Sequence, residues 1–417
     1  MNDFRTYPAL FLTLFSFFLG HTQVLKEITN VDFLKSISFK SETGKHQFPL
    51  ITKEETFTLQ FDDLLAEDND YYYVIEYLDH DWKSSSLYKN EYLLGIDNQR
   101  ISNHKSSYGT LQRYTHYELT FPNENTQFLK SGNYMISVLD SNEELMFRRK
   151  FLIYERLATI EAGVFRSREL NQFSTHQTVQ FSVKLIGVNI RNPNKDLKIV
   201  LLQNEQWDSA KKLSKPQYII GNELHFRYDL PAQFQGGNEF FRFDTKDNRV
   251  TNPSISFVEQ EELFQTYLFT DPERANYPYT FNPDINGDFV INTVLGEDPN
   301  TEADYTQVHF SLAKQYTLRD EEIFLYGKFS NYELIEKYKM IYNPSYEVFE
   351  ATLILKQGFY NYKYVWKTEE GLEKNKISGT HAITENQYLI LLYVWDIGNQ
   401  YDALIGVKTI SSFGIKN

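Results

Sequence analysis

Apolar and polar residues alternate one by one along stretch after stretch of this chain, and that period of two narrows its fold more than any other property. Val179, Phe181, Val183 and Leu185 interleave with Thr178, Gln180, Ser182 and Lys184. Such a strand sets one face on a core and the other toward water. The pattern recurs at Leu224, Phe226 and Tyr228 and at Val308, Phe310 and Leu312. Runs at 71–78, 134–139, 197–202, 239–243, 349–355, 360–366 and 388–395 are rich in aromatic and β-branched residues and end at Asn, Gly, Asp or Pro. Helical spacing is confined to Asp62–Glu67 and Glu333–Lys339, each too short to organise a domain. Short strands joined by polar turns predict an all-β chain of consecutive antiparallel sandwiches of the immunoglobulin-like kind.

Composition agrees. The chain has 33 Phe, 30 Tyr and 4 Trp but only 19 Gly and 12 Pro, which suits packed strands and not a disordered or collagen-like chain. Its 42 Lys and Arg stand against 56 Asp and Glu, a net charge of −14, so wrapping a nucleic-acid backbone is not its task. Cysteine is absent, which removes disulfides, thiolate metal sites, a Cys nucleophile and a lipidated cysteine together.

At roughly 150 residues per domain, 417 residues imply about three domains. Ala9 to Leu19 is an apolar run of 11 residues, followed by Gly20, His21, Thr22 and Gln23. It is too short to span a bilayer, which takes about 20 residues, and suits the core of a secretory signal, so residues 1–23 are expected to be a cleaved signal peptide. No later run is apolar enough to insert in a membrane. Alternation lapses over Glu155 to Gly163, and Gly296 to Asp304 is polar and acidic with one Pro, as a linker is. The expected sandwiches are therefore 24–156, 157–298 and 299–417.

Signatures of chemistry are missing. The chain contains no G-x-S-x-G, H-E-x-x-H, Walker or dinucleotide-binding motif. Its His residues are scattered, with no pair at i, i+2 or i, i+4. Asp79, His80, Asp81 and Trp82 form the best acidic cluster, yet no EF-hand pattern follows, so Trp82 in a core at a solvated strand end is the simpler reading. No catalytic residue, metal ligand or cofactor is expected. Tyr360, Tyr362, Tyr364 and Trp366 share one strand face, which reads as a core wall with Asn361, Lys363 and Lys367 pointing outward.

Two sets of residues go beyond pattern. Leu353 to Tyr364 is similar to the L-x-L-x-x-G-x-Y-x-Y-[KR]-[FY] hairpin of early-set sandwiches, which include glycogen-binding modules. Gly327 to Tyr332 resembles their G-x-F-[NS]-x-W turn, with Tyr332 in the place of a sugar-stacking Trp. That likeness makes Tyr332 and Trp366 candidate glycan contacts under an alternative function, a periplasmic or secreted carbohydrate-binding protein.

The second set runs along the whole mature chain. It comprises Phe61 to Leu64, Tyr71 to Tyr77, the D-x-D-W of Asp79 to Trp82, Glu91 to Leu93 and Asn98 to Ile101. It continues through Thr115 to Tyr117, Phe121 to Asn123, Ser131 to Tyr134, Arg166 to Arg168 and Thr175 to Gln177. Gly379 to His381, Thr384 to Tyr388 and Tyr401 to Gly406 complete it. In these residues the chain resembles the plug proteins of the type IX secretion system. The resemblance implies a non-enzymatic periplasmic protein at the inner face of the outer membrane, whose partner is the large translocon barrel that it keeps closed. Exposed strings are the better places to look for a partner surface, which makes Asn98, Gln99, Arg100, Arg166 and Arg168 the candidates.

Overall fold

The computed structural model describes residues 24–41, 47–188, 190–314, 322–396, 398 and 400–415. The expected signal segment lies outside them. Among the described residues no helix is long and apolar enough to cross a membrane, and nearly all regular structure is β-strand, arranged as three pairs of sheets around apolar cores.

In the first sandwich, Leu34–Ser41, Phe57–Asp63, Thr115–Phe121 and Asn103–Ser106 form one antiparallel sheet. Gly132–Leu139 lies between Leu145–Tyr154 and Tyr72–Leu78 in the other. Alternate residues of the two sheets meet as rings: Phe61 lies edge-on to Phe147 at 5.2 Å and Phe57 packs at a tilt on Phe151 at 5.2 Å. Aromatics at this density close a thick core with few residues, each burying ~150–250 Å².

The second sandwich sets Ala158–Arg166, His176–Leu185 and Glu223–Phe226 against a sheet ordered Gln206–Leu213, Leu197–Gln203, Gln387–Asp396, Tyr401–Ser411. In the third, Gly358–Thr368 pairs with Phe241–Asp244, Phe289–Ile291 and Glu322–Tyr326. It faces Tyr305–Ala313 and Val348–Lys356 across a core of Phe243, Phe310, Tyr360 and Tyr362.

The sandwiches are not consecutive. Strands change partners at 155–157, but not at 298/299: Phe289–Ile291 and Tyr305–Ala313 belong to one sandwich, and the last two strands complete the second. Leu197 pairs with Val394 and Gln203 with Tyr388, almost two hundred residues apart. The third sandwich is thus an insertion into the second, entered after Gln233–Gln235 and left before Gln387–Asp396. Gly296 to Asp304, expected as a linker, is a capped helical turn. Asp298 accepts the N–H of Asn300, and Pro299 opens the helix Pro299–Glu302. An acid followed by Pro is the signature of a helix start, which composition alone reads as a linker.

Other expectations differ locally. Asp62 ends a strand and begins no helix, and Glu333–Lys339 holds only the 3-10 turn Glu336–Tyr338. Tyr360, Tyr362 and Tyr364 do wall the core. Asn361 and Lys363, expected in water, are 0% and 8% exposed. The Asn361 side-chain oxygen Oδ1 accepts the Ile285 N–H at 2.6 Å, and the Lys363 ammonium lies 4.2 Å over the Phe240 ring. The chain around residues 284–287 covers that face, so burial draws the Lys363 ammonium down to about 8.

Candidate functional site: the seams between sandwiches

First and second sandwiches meet face to face. Leu78, Met135 and Leu152 pack on Val200, Leu202, Leu389, Leu391, Tyr393 and Leu404. At the margin lies the D-x-D-W string. The Asp79 carboxylate accepts the N–H groups of Asp81 (2.8 Å) and Lys83 (2.9 Å) and so bends the backbone. Trp82 then sits at φ 64°, its ring edge-on to Trp207 at 4.8 Å. His80 Nδ1 lies 2.8 Å from Asp402, Lys198 donates to Asp402 at 2.9 Å, and Lys212 donates to Asp81 at 2.6 Å. Burial alone would raise the Asp402 carboxyl, but His80 and Lys198 hold it below its ordinary value. The Tyr77 hydroxyl, 3.0 Å from the carbonyls of both Ser131 and Asp402, spans the seam. Gly132 makes this possible: at φ 138° a Cβ there would stand 2.2 Å from the Tyr77 oxygen.

First and third sandwiches are joined by charge. Asp62, 0% exposed, accepts from Lys356 Nζ (2.7 Å) and the Tyr305 hydroxyl (2.7 Å) at one oxygen. Its other oxygen lies 2.6 Å from His116 Nδ1. Lys356, 2% exposed, also donates to the Asn300 carbonyl and sits 4.1 Å over the Tyr114 ring. Burial raises the Asp62 carboxyl, and Lys356 with His116 overcomes that and holds it low. Burial likewise draws Lys356 down, with Asp62 opposing. A buried pair of this kind adds little net stability but is costly to break, since removing one member strands the other.

Second and third sandwiches are held by neutral amides around the two crossing segments and, beside them, by Asp208, which accepts from Lys374 (2.6 Å) and the Tyr326 hydroxyl (2.8 Å). Gln177 donates to the carbonyls of Ala382 (2.8 Å) and Thr384 (2.7 Å). Asn386 donates to Gln177 Oε1 and the Gly236 carbonyl, and accepts from Asn204 at 2.8 Å. A Cβ on Gly236 would lie 2.0 Å from the His381 oxygen, so the crossing is as tight as backbone allows. All three sandwiches border a cleft of about 380 Å³, lined among others by Gln60, His116, Glu205, Asn286 and Tyr332. Burial lifts the Glu205 carboxyl to about 7, against the pull of Lys328. Among the described residues no group of three or more His, Asp or Glu could hold a metal ion.

The sequence candidates fall elsewhere. Gln99–Arg100 is a short edge strand of the first sandwich, next to Asn98 at φ 62°. Arg100 is spent on Asp70 at 2.6 Å. Arg166 ends a strand of the second sandwich with its guanidinium 5.1 Å over the Phe173 ring, and Arg168 is exposed. Tyr332 lines the inter-sandwich cleft and packs with Tyr326, whereas Trp366 packs against the third core, so the two rings belong to separate clusters. Neither lies on an open face as a sugar platform would.

Lys356 and Tyr305 escaped the sequence reading. The signal for them was the Phe61-Asp62-Asp63 run itself, because two acids in one strand of an aromatic core require partners. Most other strings of the resemblance also converge here. Asp62 and His116, Asp79 to Trp82 with Asp402, and Gln177 with Thr384 and Asn386 each occupy a seam.

The comparisons agree with this arrangement. A crystal structure of a hypothetical protein from Parabacteroides merdae ATCC 43184 is 31% identical, with a TM-score of 0.88 over 92% of this chain and 98% of that one. Likeness of that extent requires the three sandwiches to stand in the same mutual arrangement. No curated protein matches. Residues 34–155, essentially the first sandwich, match the family described as the type 9 secretion system plug protein 1st domain. Through that sandwich, the chain belongs to the type IX secretion system plug protein family.

Proposed function

We propose that the protein is a non-enzymatic periplasmic plug, which binds the periplasmic opening of the type IX outer-membrane translocon barrel and closes it between export events. Family membership through residues 34–155 carries this reading. The locked seams support it. A pore wide enough for folded cargo needs a stopper that does not deform, and sandwiches held by buried pairs and amides present preformed surfaces with little ordering cost on docking. A stable stopper would bury about 1,200–2,000 Å² against the barrel. The net charge of −14 would act on encounter and partner choice more than on affinity.

Copurification from detergent extract is the direct test. The protein should be retained with the barrel, and its loss should raise envelope permeability to small dyes. A protein that fractionates alone, and whose loss leaves secretion and permeability unchanged, overturns the proposal.

A further inference from the structure

The loop between Ala158–Arg166 and His176–Leu185 shows Leu170 to solvent at 95% exposure, more than any other large apolar side chain among the described residues. The loop is well ordered by its own bonds. Glu169 N–H donates to the Ser167 hydroxyl, Gln172 N–H to the Glu169 carbonyl, and Thr175 and His176 N–H to the Gln172 carbonyl. Its base is fixed to the seam, where Ala382 N–H donates to the Ser174 carbonyl and Gly236 N–H to that of Thr175. The Asp229 carboxylate accepts from Arg168 N–H and the Thr178 hydroxyl, tying the loop to the turn that carries Leu230, itself 60% exposed. Phe173 is 40% exposed under the Arg166 guanidinium.

Charge around these apolar groups is balanced where that of the chain is acidic, with Arg166 and Arg168 against Glu169 and Asp229. Residues 166–176 hold two arginines and one glutamate in a protein of net charge −14. Among the described residues no carboxylate lies within ion-pair distance of Arg166 or Arg168, whereas Arg100, Arg156 and Arg249 each have one. A rigid, exposed leucine flanked by unspent guanidinium groups has the composition of an interface anchor: an apolar centre, a charged rim and little entropy left to lose.

From this we infer that the patch of Leu170, Phe173 and Leu230, rimmed by Arg166 and Arg168, is a docking surface for a protein face that presents carboxylates around an apolar recess. Resting on the plug reading, that face belongs to the periplasmic rim of the translocon.

The test is copurification of the barrel with the full chain carrying Leu170→Asp or Arg168→Glu, at about 0.1 M and about 0.5 M NaCl. Both side chains are exposed, so the variants should melt within about 2 °C of the parent. Leu170→Asp should lower recovery at least about tenfold at either salt concentration. Arg168→Glu should lower it several-fold at the lower concentration, and by less at the higher. Retention of the parent and both variants alike overturns the patch and leaves the plug reading standing. Failure of the parent itself to copurify overturns both.

Discussion

Between the first and second sandwiches, Leu78, Met135 and Leu152 meet Val200, Leu391 and Leu404. Between the first and third, Asp62 meets Lys356 and Tyr305. Apolar contact is strong in total and indifferent to small rotations. A buried ion pair with two further hydrogen bonds on its carboxylate contributes little net energy but accepts one geometry. The first seam holds the sandwiches together, whereas the second sets the angle of the inserted one. Both carry an acid-sensitive carboxylate, Asp402 at the margin of the first and Asp62 in the middle of the second. Asp62 is held below its ordinary value, so its contribution is present above about pH 4 and is lost as pH falls through its value in the folded chain.

The contrast can be broken most sharply at Lys356. Lys356→Met strands the Asp62 charge and should cost about 3–5 kcal/mol by urea denaturation. Adding Asp62→Asn should restore part of that; a double variant as unstable as the single would show that the pair does not hold the seam. In the apolar seam, Leu391→Ala should cost about 2–5 kcal/mol. That loss should be equal at low and high salt, and a salt-dependent loss would erase the distinction. Asn386→Ala leaves the Gly236 carbonyl and the Gln177 and Asn204 amides short of a partner, and should cost about 1–3 kcal/mol.

The smallest expected effect is at Glu205. Its carboxyl titrates at about 7 in the folded chain, above the ordinary ~4.3, so ionisation opposes folding most above pH 7 and less as pH falls toward 4. Glu205→Gln should therefore raise the melting temperature by a few degrees at pH 8 and by much less at pH 5. An increase of the same size at both values would rule out the buried charge as the cause.

Strands and cores were legible because the period of two is local: Val179, Phe181 and Val183 face inward as their spacing predicts, and so do Tyr360, Tyr362 and Tyr364. What local pattern does not carry is which strand lies beside which. Nothing near Leu197 announces Val394, so the insertion was invisible and a capped turn at Asp298 passed for a linker. The outward reading of Lys363 failed for the same reason, since the segment that covers it starts some eighty residues earlier. At the seams the residues were visible as strings, but their convergence was not. Asn386 and Gln177 look like ordinary surface amides until the fold brings them within 3.1 Å. Both arginine positions could be named from sequence, whereas the exposed leucine that follows them needed the loop geometry.

The insertion also fixes an order of manufacture. Leu197–Gln203 waits for Gln387–Asp396, and therefore for the entire third sandwich, before its sheet is whole. A chain released before residue 387 could complete its first and third sandwiches, but its middle one would show a bare sheet edge of apolar residues, the kind of surface that proteases and aggregation find first. The final strands thus work as a receipt for complete synthesis, since only a chain that reaches them can close its middle sandwich.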